Sequence, residues 1–249
     1  MLIIAGIIAF ISEYFDSCLG MGYGTALAPS LMLVGYPALK VVPAILISQF
    51  FTDVAACFFH HRLRNVDFSI RSKDFRIALA LGLISSLGVI VSAIVALQVP
   101  RWLLTLYIGL LVLCMGILIL VSLRWHMNFS WPKILGISFL AAFNKGISGG
   151  GYGPLVMGGQ MLSGVSSKNA VGITAFAEAI TCLVGFIIYM ALGRKIDWSL
   201  TVWLIVCATG AVPAAALTVR NVQSITLRKF AGVLILILGL CILLKIGSA

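Results

Sequence analysis

The sequence predicts an all-α membrane protein that crosses the bilayer several times. Of its 249 residues, 61% are apolar and only 10% are charged, and the mean hydropathy is +1.15. Apolar runs of about 20 residues, the length that spans about 30 Å of hydrocarbon, follow one another along the chain. A soluble domain is about half apolar and a quarter charged. A water-soluble enzyme, a secreted disulfide scaffold and a disordered chain are therefore excluded.

The apolar runs predict eight segments, and two of them are interrupted. They cover 2–35 (interrupted), 41–60, 76–98, 102–123, 134–164 (interrupted), 168–191, 199–218 and 227–245. A continuous helix over 2–35 would be about 51 Å long, which exceeds the thickness of one hydrocarbon core. Its middle also contains acidic residues and glycines, which suit neither lipid nor a regular helix. Each interrupted segment is therefore predicted to be two half-helices that meet at a glycine break.

The first apolar run has no preceding Lys or Arg and no cleavage pattern, so we expect a mature helix rather than a signal peptide. The net charge of +10 comes from Lys and Arg in short loops between apolar runs. This pattern sets membrane orientation and does not indicate a nucleic-acid partner, and it predicts that loop 60–76 is cytoplasmic. The six cysteines are scattered without a C-x-x-C pair, so we expect buried packing residues and neither metal nor cofactor.

An internal repeat relates the two halves of the chain. A shift of 129 residues places Gly20, Gly22, Tyr23 and Gly24 on Gly149, Gly151, Tyr152 and Gly153. This divides a single membrane domain into repeats 1–130 and 131–249, each with one broken segment and three transmembrane helices. Broken segments that fold back produce inverted repeats, and segments that cross once produce parallel ones. The distribution of Lys and Arg in the loops does not distinguish between inverted and parallel repeats, but paired broken helices favour the inverted arrangement.

The two glycine breaks are the predicted site of substrate binding. Consecutive residues without Cβ let backbone N–H groups converge on an anion, and a half-helix that begins there adds its positive end. The predicted binding residues are Gly20, Gly22, Tyr23, Gly24, Lys145, Ser148, Gly149, Gly150, Gly151, Tyr152 and Gly153. The alternative is that the glycines only allow close helix packing. The tyrosines either donate a hydroxyl to the anion or pack within the breaks.

Charged residues beside the breaks are the predicted coupling and gating groups. Asp16 is the repeat counterpart of Lys145, and the two either form a structural ion pair or bind and modulate an anion. Asp53 and Glu178 lie on polar stripes of the second helix of each half, where a carboxyl group suits a proton carrier or a structural hydrogen bond. We expect the three histidines, His60, His61 and His126, to be solvated at the ends of spans.

The chain resembles the sulfite exporter TauE/SafE family, also called the 4-toluene sulfonate uptake permeases, over nearly its whole length. The resemblance is carried by the paired breaks Gly20-Met21-Gly22-Tyr23-Gly24 and Gly149-Gly150-Gly151-Tyr152-Gly153-Pro154. It implies a secondary carrier of sulfite, sulfonates or related organosulfur anions that an ion gradient drives, and it implicates the glycines of both breaks. Met21 and Tyr23 interrupt the glycine triplet of the family, and Asp16 and Lys145 stand where small residues are expected.

We therefore expect a multi-pass protein of the cell (inner or plasma) membrane that exports a small sulfur oxyanion, with protons as a candidate coupling ion. A passive anion channel and a structural subunit are the alternatives, and homo-oligomerisation stays open. Gly146-Ile147-Ser148-Gly149 matches the G-x-S-G of rhomboid proteases, but no histidine follows it to act as the base. An enzyme is therefore not expected.

Overall fold

The prediction of an all-α chain is confirmed by the computed structural model. It describes residues 1–122, 131–221 and 224–247, and in these ranges it contains ten α-helices and no strand. The helices are α1 (Leu2–Leu19), α2 (Tyr23–Val34), α3 (Ala38–Arg62), α4 (Lys73–Gln98), α5 (Arg101–Ser122), α6 (Trp131–Ser148), α7 (Tyr152–Leu162), α8 (Ser167–Ala191), α9 (Trp198–Asn221) and α10 (Ser224–Gly247). The predicted repeat boundary at residue 130 and His126 lie outside the described residues.

Several of these helices have the length and hydropathy that a membrane crossing needs. Within the described ranges there are six: Leu2–Leu19, Ala38–Arg62, Lys73–Gln98, Trp102–Val121, Lys168–Ala191 and Trp198–Val219. Tyr23–Val34, Ile134–Ser148 and Gly232–Lys245 are shorter apolar helices. The protein is therefore a multi-pass membrane protein. Its predicted interruptions are present as three-residue gaps in helix, at 20–22 and 149–151.

The first broken segment folds back on itself. Near the end of α1 the Ser17 carbonyl lies 3.1 Å from Nε2 of His60, near the end of α3. The starts of α1 and α3 share one apolar cluster, which includes Ala5 and Val41, so these two helices run in the same direction. The Tyr23 hydroxyl at the start of α2 lies 2.8 Å from Ser48 Oγ, and a short turn joins the end of α2 to α3. Helix α2 therefore runs opposite to α1.

Contacts in two pairs of corresponding helices agree with opposite directions in the two halves. A Cβ added at Gly185, late in α8, would lie 3.2 Å from Leu46, early in α3. In the same way, a Cβ at Gly109, early in α5, would lie 2.9 Å from Ile242, late in α10. Antiparallel counterparts are what an inverted repeat requires, and they support that arrangement, which we keep as a proposal.

Candidate functional site

The two helix breaks have glycines with positive φ angles at matched positions. Gly20 and Gly22 have φ angles of 64° and 137°, and their counterparts Gly149 and Gly151 have φ angles of 79° and 82°. Residues with a Cβ rarely adopt such angles, so glycine is required for the chain to leave one helix and start the next within three residues. This shared geometry agrees with the 129-residue repeat.

The breaks contact each other backbone to backbone. A Cβ at Gly24 would collide with the Gly149 carbonyl, and a Cβ at Gly153 would collide with the Gly20 carbonyl. The Gly151 N–H also donates to Thr25 Oγ1 across the contact at 2.9 Å. Close packing, the alternative weighed in the sequence, therefore accounts for Gly24 and Gly153. Gly150 belongs with them, because its Cβ would lie 2.5 Å from the Thr25 nitrogen.

The two helices that begin at the breaks have different caps. The first amide of α2, Tyr23 N–H, donates to Oδ1 of Asp16 at 3.0 Å. At the start of α7 the N–H of Gly151 donates instead to Thr25 Oγ1, across the contact between the breaks. Ser148 stabilises its own break, because its Oγ accepts from Gly150 N–H at 3.0 Å and donates to the Asn144 carbonyl at 2.8 Å.

Lys145, in the last turn of α6, is fully buried and lies at the centre of a polar network. Its ammonium donates to Oε1 of Gln49 at 2.6 Å and forms an ion pair with Glu178. Gln49 donates in turn to Oδ2 of Asp16 at 3.4 Å, a long hydrogen bond. The direct Asp16–Lys145 ion pair considered in the sequence is thus replaced by a pair with Glu178, because Gln49 lies between Asp16 and Lys145.

Carboxyl groups outnumber amines in this buried centre. Among the described residues, Glu13, Asp16, Asp53 and Glu178 are buried acids, and Lys145 is the one buried amine. Within the described part of the chain, Oδ2 of Asp53 and Oε2 of Glu13 have no hydrogen-bond partner, although Glu13 Oε1 accepts from Ser17 Oγ at 2.6 Å. Uncompensated charge at this depth is expensive and typical of functional groups in membrane proteins. The cluster is therefore suited to gain or lose positive charge.

A shared metal ion is sterically compatible with three of these carboxylates. Ligand oxygens of Asp16, Asp53 and Glu178 all lie within 4.8 Å of one another. The Lys145 ammonium, however, already pairs with Glu178 and supplies the cluster with a cation of its own. We therefore describe the cluster as a lysine–carboxylate network rather than as a metal centre.

Both tyrosines of the breaks are fully buried, with their hydroxyls engaged by nearby helices. The Tyr23 hydroxyl lies 2.8 Å from Ser48 Oγ, and the Tyr152 hydroxyl lies 2.9 Å from Ser85 Oγ. This geometry supports packing within the breaks, the second of the two roles considered for them. Donation to an anion would require these hydrogen bonds to be exchanged.

One prediction about the histidines is wrong. His60 is buried, with Nε2 near the Ser17 carbonyl and Nδ1 3.0 Å from Nδ2 of Asn65. The reason is that α3 continues to Arg62, so residue 60 still faces α1 inside the protein instead of entering the loop. His61 is exposed, as predicted.

Two residues of the network were missed as site residues. Gln49 is the repeat counterpart of Glu178, which is a predicted coupling residue. The repeat therefore indicates Gln49 as a site residue. Glu13 has no polar counterpart, since the equivalent residue is Ala142, but an acidic residue inside an apolar segment is itself a signal of function.

The apolar helices enclose a buried charged network that lies beside two broken helices. This combination is typical of transporters among multi-pass membrane proteins. The chain belongs to the sulfite exporter TauE/SafE family, whose family model matches residues 4–242. It is also similar to the probable membrane transporter protein YtnM of Bacillus subtilis (strain 168), with 25% identity over 236 residues that cover 89% of this chain and 75% of that protein. No solved structure matches it. The resemblance is confirmed, and the protein is a membrane transporter.

Proposed function

We propose that the protein is a secondary active transporter that exports a small sulfur-containing oxyanion, such as sulfite or an organosulfonate. The observation that carries this proposal is the buried ammonium of Lys145, which Gln49 and Glu178 hold four residues before the second break. The description of the family as sulfite exporters supports the choice of substrate class. The anion would bind at the second break, between Lys145 and the positive N-terminus of α7.

Competition for Lys145 provides a mechanism for proton coupling. In the network Glu178 already neutralises Lys145, so an incoming anion must displace this carboxylate. A proton on Glu178 removes its charge and frees the ammonium for the anion. Asp53 lies in the same cluster with an oxygen that lacks a partner, and it is the second candidate proton carrier. Because the anion binds only when Glu178 is protonated, proton and anion cross together, and the scheme exports the anion where the outward anion gradient exceeds the inward proton gradient.

An inverted arrangement of the repeats would provide alternating access. The backbone contact between the two breaks supports this proposal, because it lies where the two repeats would meet. Rocking of one repeat against the other would expose the shared site first to one side of the membrane and then to the other. A passive anion channel has no need for a lysine neutralised by a carboxylate at its filter. The network therefore favours the carrier.

Thermal stabilisation of the purified protein tests the substrate class. The probes are sulfite, sulfate, thiosulfate, taurine, sulfoacetate and chloride. A ligand that binds only the native state adds about 2.7 kcal/mol of stability at 100 times its Kd, so a bound anion should raise the unfolding temperature measurably. We expect a saturable shift with one sulfur oxyanion in the parent protein and none in Lys145→Ala. Lys40→Ala removes an exposed lysine of α3 and should keep the shift. Equal shifts in the two variants would remove Lys145 from the site.

Proton coupling is tested separately by transport in proteoliposomes. Glu178→Gln keeps the size of the side chain but removes its titration, so we expect anion binding to persist while the response to a pH gradient is lost. Asp67→Asn changes an exposed loop carboxylate and should respond to the gradient as the parent does. A normal response to the pH gradient in Glu178→Gln would exclude Glu178 as the proton carrier.

A further inference from the structure

A basic cavity lies between the start of α4 and the start of α6, at the opposite end of α6 from Lys145. Its volume is about 340 Å³, and its cationic wall consists of Arg71, Lys73 and Arg76. All three side chains are exposed. Arg71 belongs to loop 60–76, which the sequence predicts to be cytoplasmic. We therefore place this cavity at the cytoplasmic end of the two helices.

The cations of this cavity are not neutralised by nearby acids. None of the three forms an ion pair with another residue that the structure describes. Asp74 lies in the same helical turn as Lys73 and Arg76. Its Oδ2, however, accepts from Nδ2 of Asn169 at 2.6 Å and from Asp67 N–H at 3.2 Å, so Asp74 is held against the start of α8. Three unpaired positive charges on one cavity attract an anion.

The inner wall of the same cavity is apolar. Ile77 and Leu135 are half-buried there, and Leu81 is fully buried. Trp131, the first residue of α6, also lines the cavity and is 38% exposed. Partly exposed tryptophan is typical of the boundary between the lipid headgroups and the hydrocarbon. The cavity therefore offers cations where a headgroup lies and apolar contacts where the acyl chains begin.

We propose that this cavity binds the headgroup phosphate of an anionic phospholipid. Arginine and lysine bind phosphate oxygens through charge-assisted hydrogen bonds, and basic pockets between transmembrane helices on the cytoplasmic side suit such headgroups. The first acyl carbons would pack on Leu81 and Leu135, beside Trp131. A free oxyanion would use the cationic wall alone, so the apolar inner wall favours the lipid. This inference is independent of the anion that the protein transports.

Native mass spectrometry of the purified protein in detergent tests this inference, with phosphatidylglycerol and phosphatidylcholine as the titrated probes. We expect the parent protein to bind one phosphatidylglycerol in preference to phosphatidylcholine. Each cation near a charged lipid contributes about fivefold in affinity, so the double variant Lys73→Gln and Arg76→Gln should bind phosphatidylglycerol about 25-fold more weakly. The matched control, Arg62→Gln with Arg64→Gln, removes two exposed cations that do not line the cavity and should keep the parent affinity.

Equal losses of affinity in the two double variants would contradict the inference, because the lipid would then respond to diffuse surface charge. Equal binding of the two lipids would overturn it as well. Sulfite and inorganic phosphate should displace phosphatidylglycerol no better than chloride at the same ionic strength, and specific displacement would indicate a site for free anions instead. Should the Lys73 and Arg76 variant not fold, Arg71→Gln decides: binding about fivefold weaker than in Arg64→Gln supports the site, and equal binding refutes it.

Discussion

Substitution of Gly24 by alanine probes the contact on which the site depends. The new Cβ would overlap the Gly149 carbonyl oxygen, lie 2.6 Å from its carbon and lie 3.0 Å from Cα of Gly150. All three atoms belong to the backbone of the opposite break, so no side chain is able to rotate away. One of the two breaks must move for the variant to fold.

The expected cost follows from the nature of these atoms. Overpacking of a tight core costs about 1–3 kcal/mol, and contacts with backbone place Gly24→Ala near the upper value. A loss of about 3 kcal/mol corresponds to a Tm lower by about 6–12 °C for a chain of this size. Because the breaks must separate, we expect anion-dependent stabilisation to be lost as well.

Gly158→Ala is the matched control for this experiment. Gly158 lies inside α7, and a Cβ there would meet nothing within 4 Å. Alanine is favoured over glycine in a helix by about 1 kcal/mol, so Gly158→Ala should be as stable as the parent or more so. The assay is thermal unfolding in detergent, followed by intrinsic fluorescence. A Gly24→Ala protein with the Tm of Gly158→Ala would refute the backbone contact between the breaks.

Two further predictions concern the network and the repeat. His60→Ala should lower stability by about 1–3 kcal/mol in thermal unfolding, because it leaves buried polar partners unsatisfied, whereas His61→Ala, at an exposed position, should change it little. Equal effects would contradict the buried role of His60. Ser69 and Ser199 are exposed and related by a shift of 130 residues, at which Asp67-Phe68-Ser69 aligns with Asp197-Trp198-Ser199. Ser69→Cys and Ser199→Cys place single cysteines there in an otherwise cysteine-free chain. Inverted repeats predict that an impermeant thiol reagent labels them from opposite sides of the membrane, and labelling from the same side would favour parallel repeats.

Much of the architecture was predictable from the sequence, because membrane helices are specified locally. Apolar length determines the spans, and the glycines at 20–22 and 149–151 coincide with the breaks. Lys145 and Glu178 were selected because charge at membrane depth needs a partner or a function. Lys145 and Glu178 pair with each other in the buried network, which agrees with the need for a partner. Their roles in anion binding and proton coupling stay predictions.

What the sequence missed depends on contacts between distant segments. Pairing of Lys145 with Glu178 instead of Asp16 requires α8 and α6 to meet around Gln49, which no local pattern reports. The approach of Gly24 to Gly149 is likewise a property of two breaks that meet in space. His60 was misplaced for a smaller reason: the end of a helix is uncertain by a few residues, and here those residues decide between loop and core.

The central claim is that one exchangeable anion binds beside Lys145 in an alternating-access carrier. Counterflow in proteoliposomes tests it most directly, with a high internal concentration of unlabelled sulfite and a trace of labelled sulfite outside. We predict a transient accumulation of label that saturates with external sulfite and is absent in Lys145→Ala. Lys40→Ala should behave as the parent protein. A flux that grows linearly with concentration and shows no counterflow would contradict the carrier and indicate a channel.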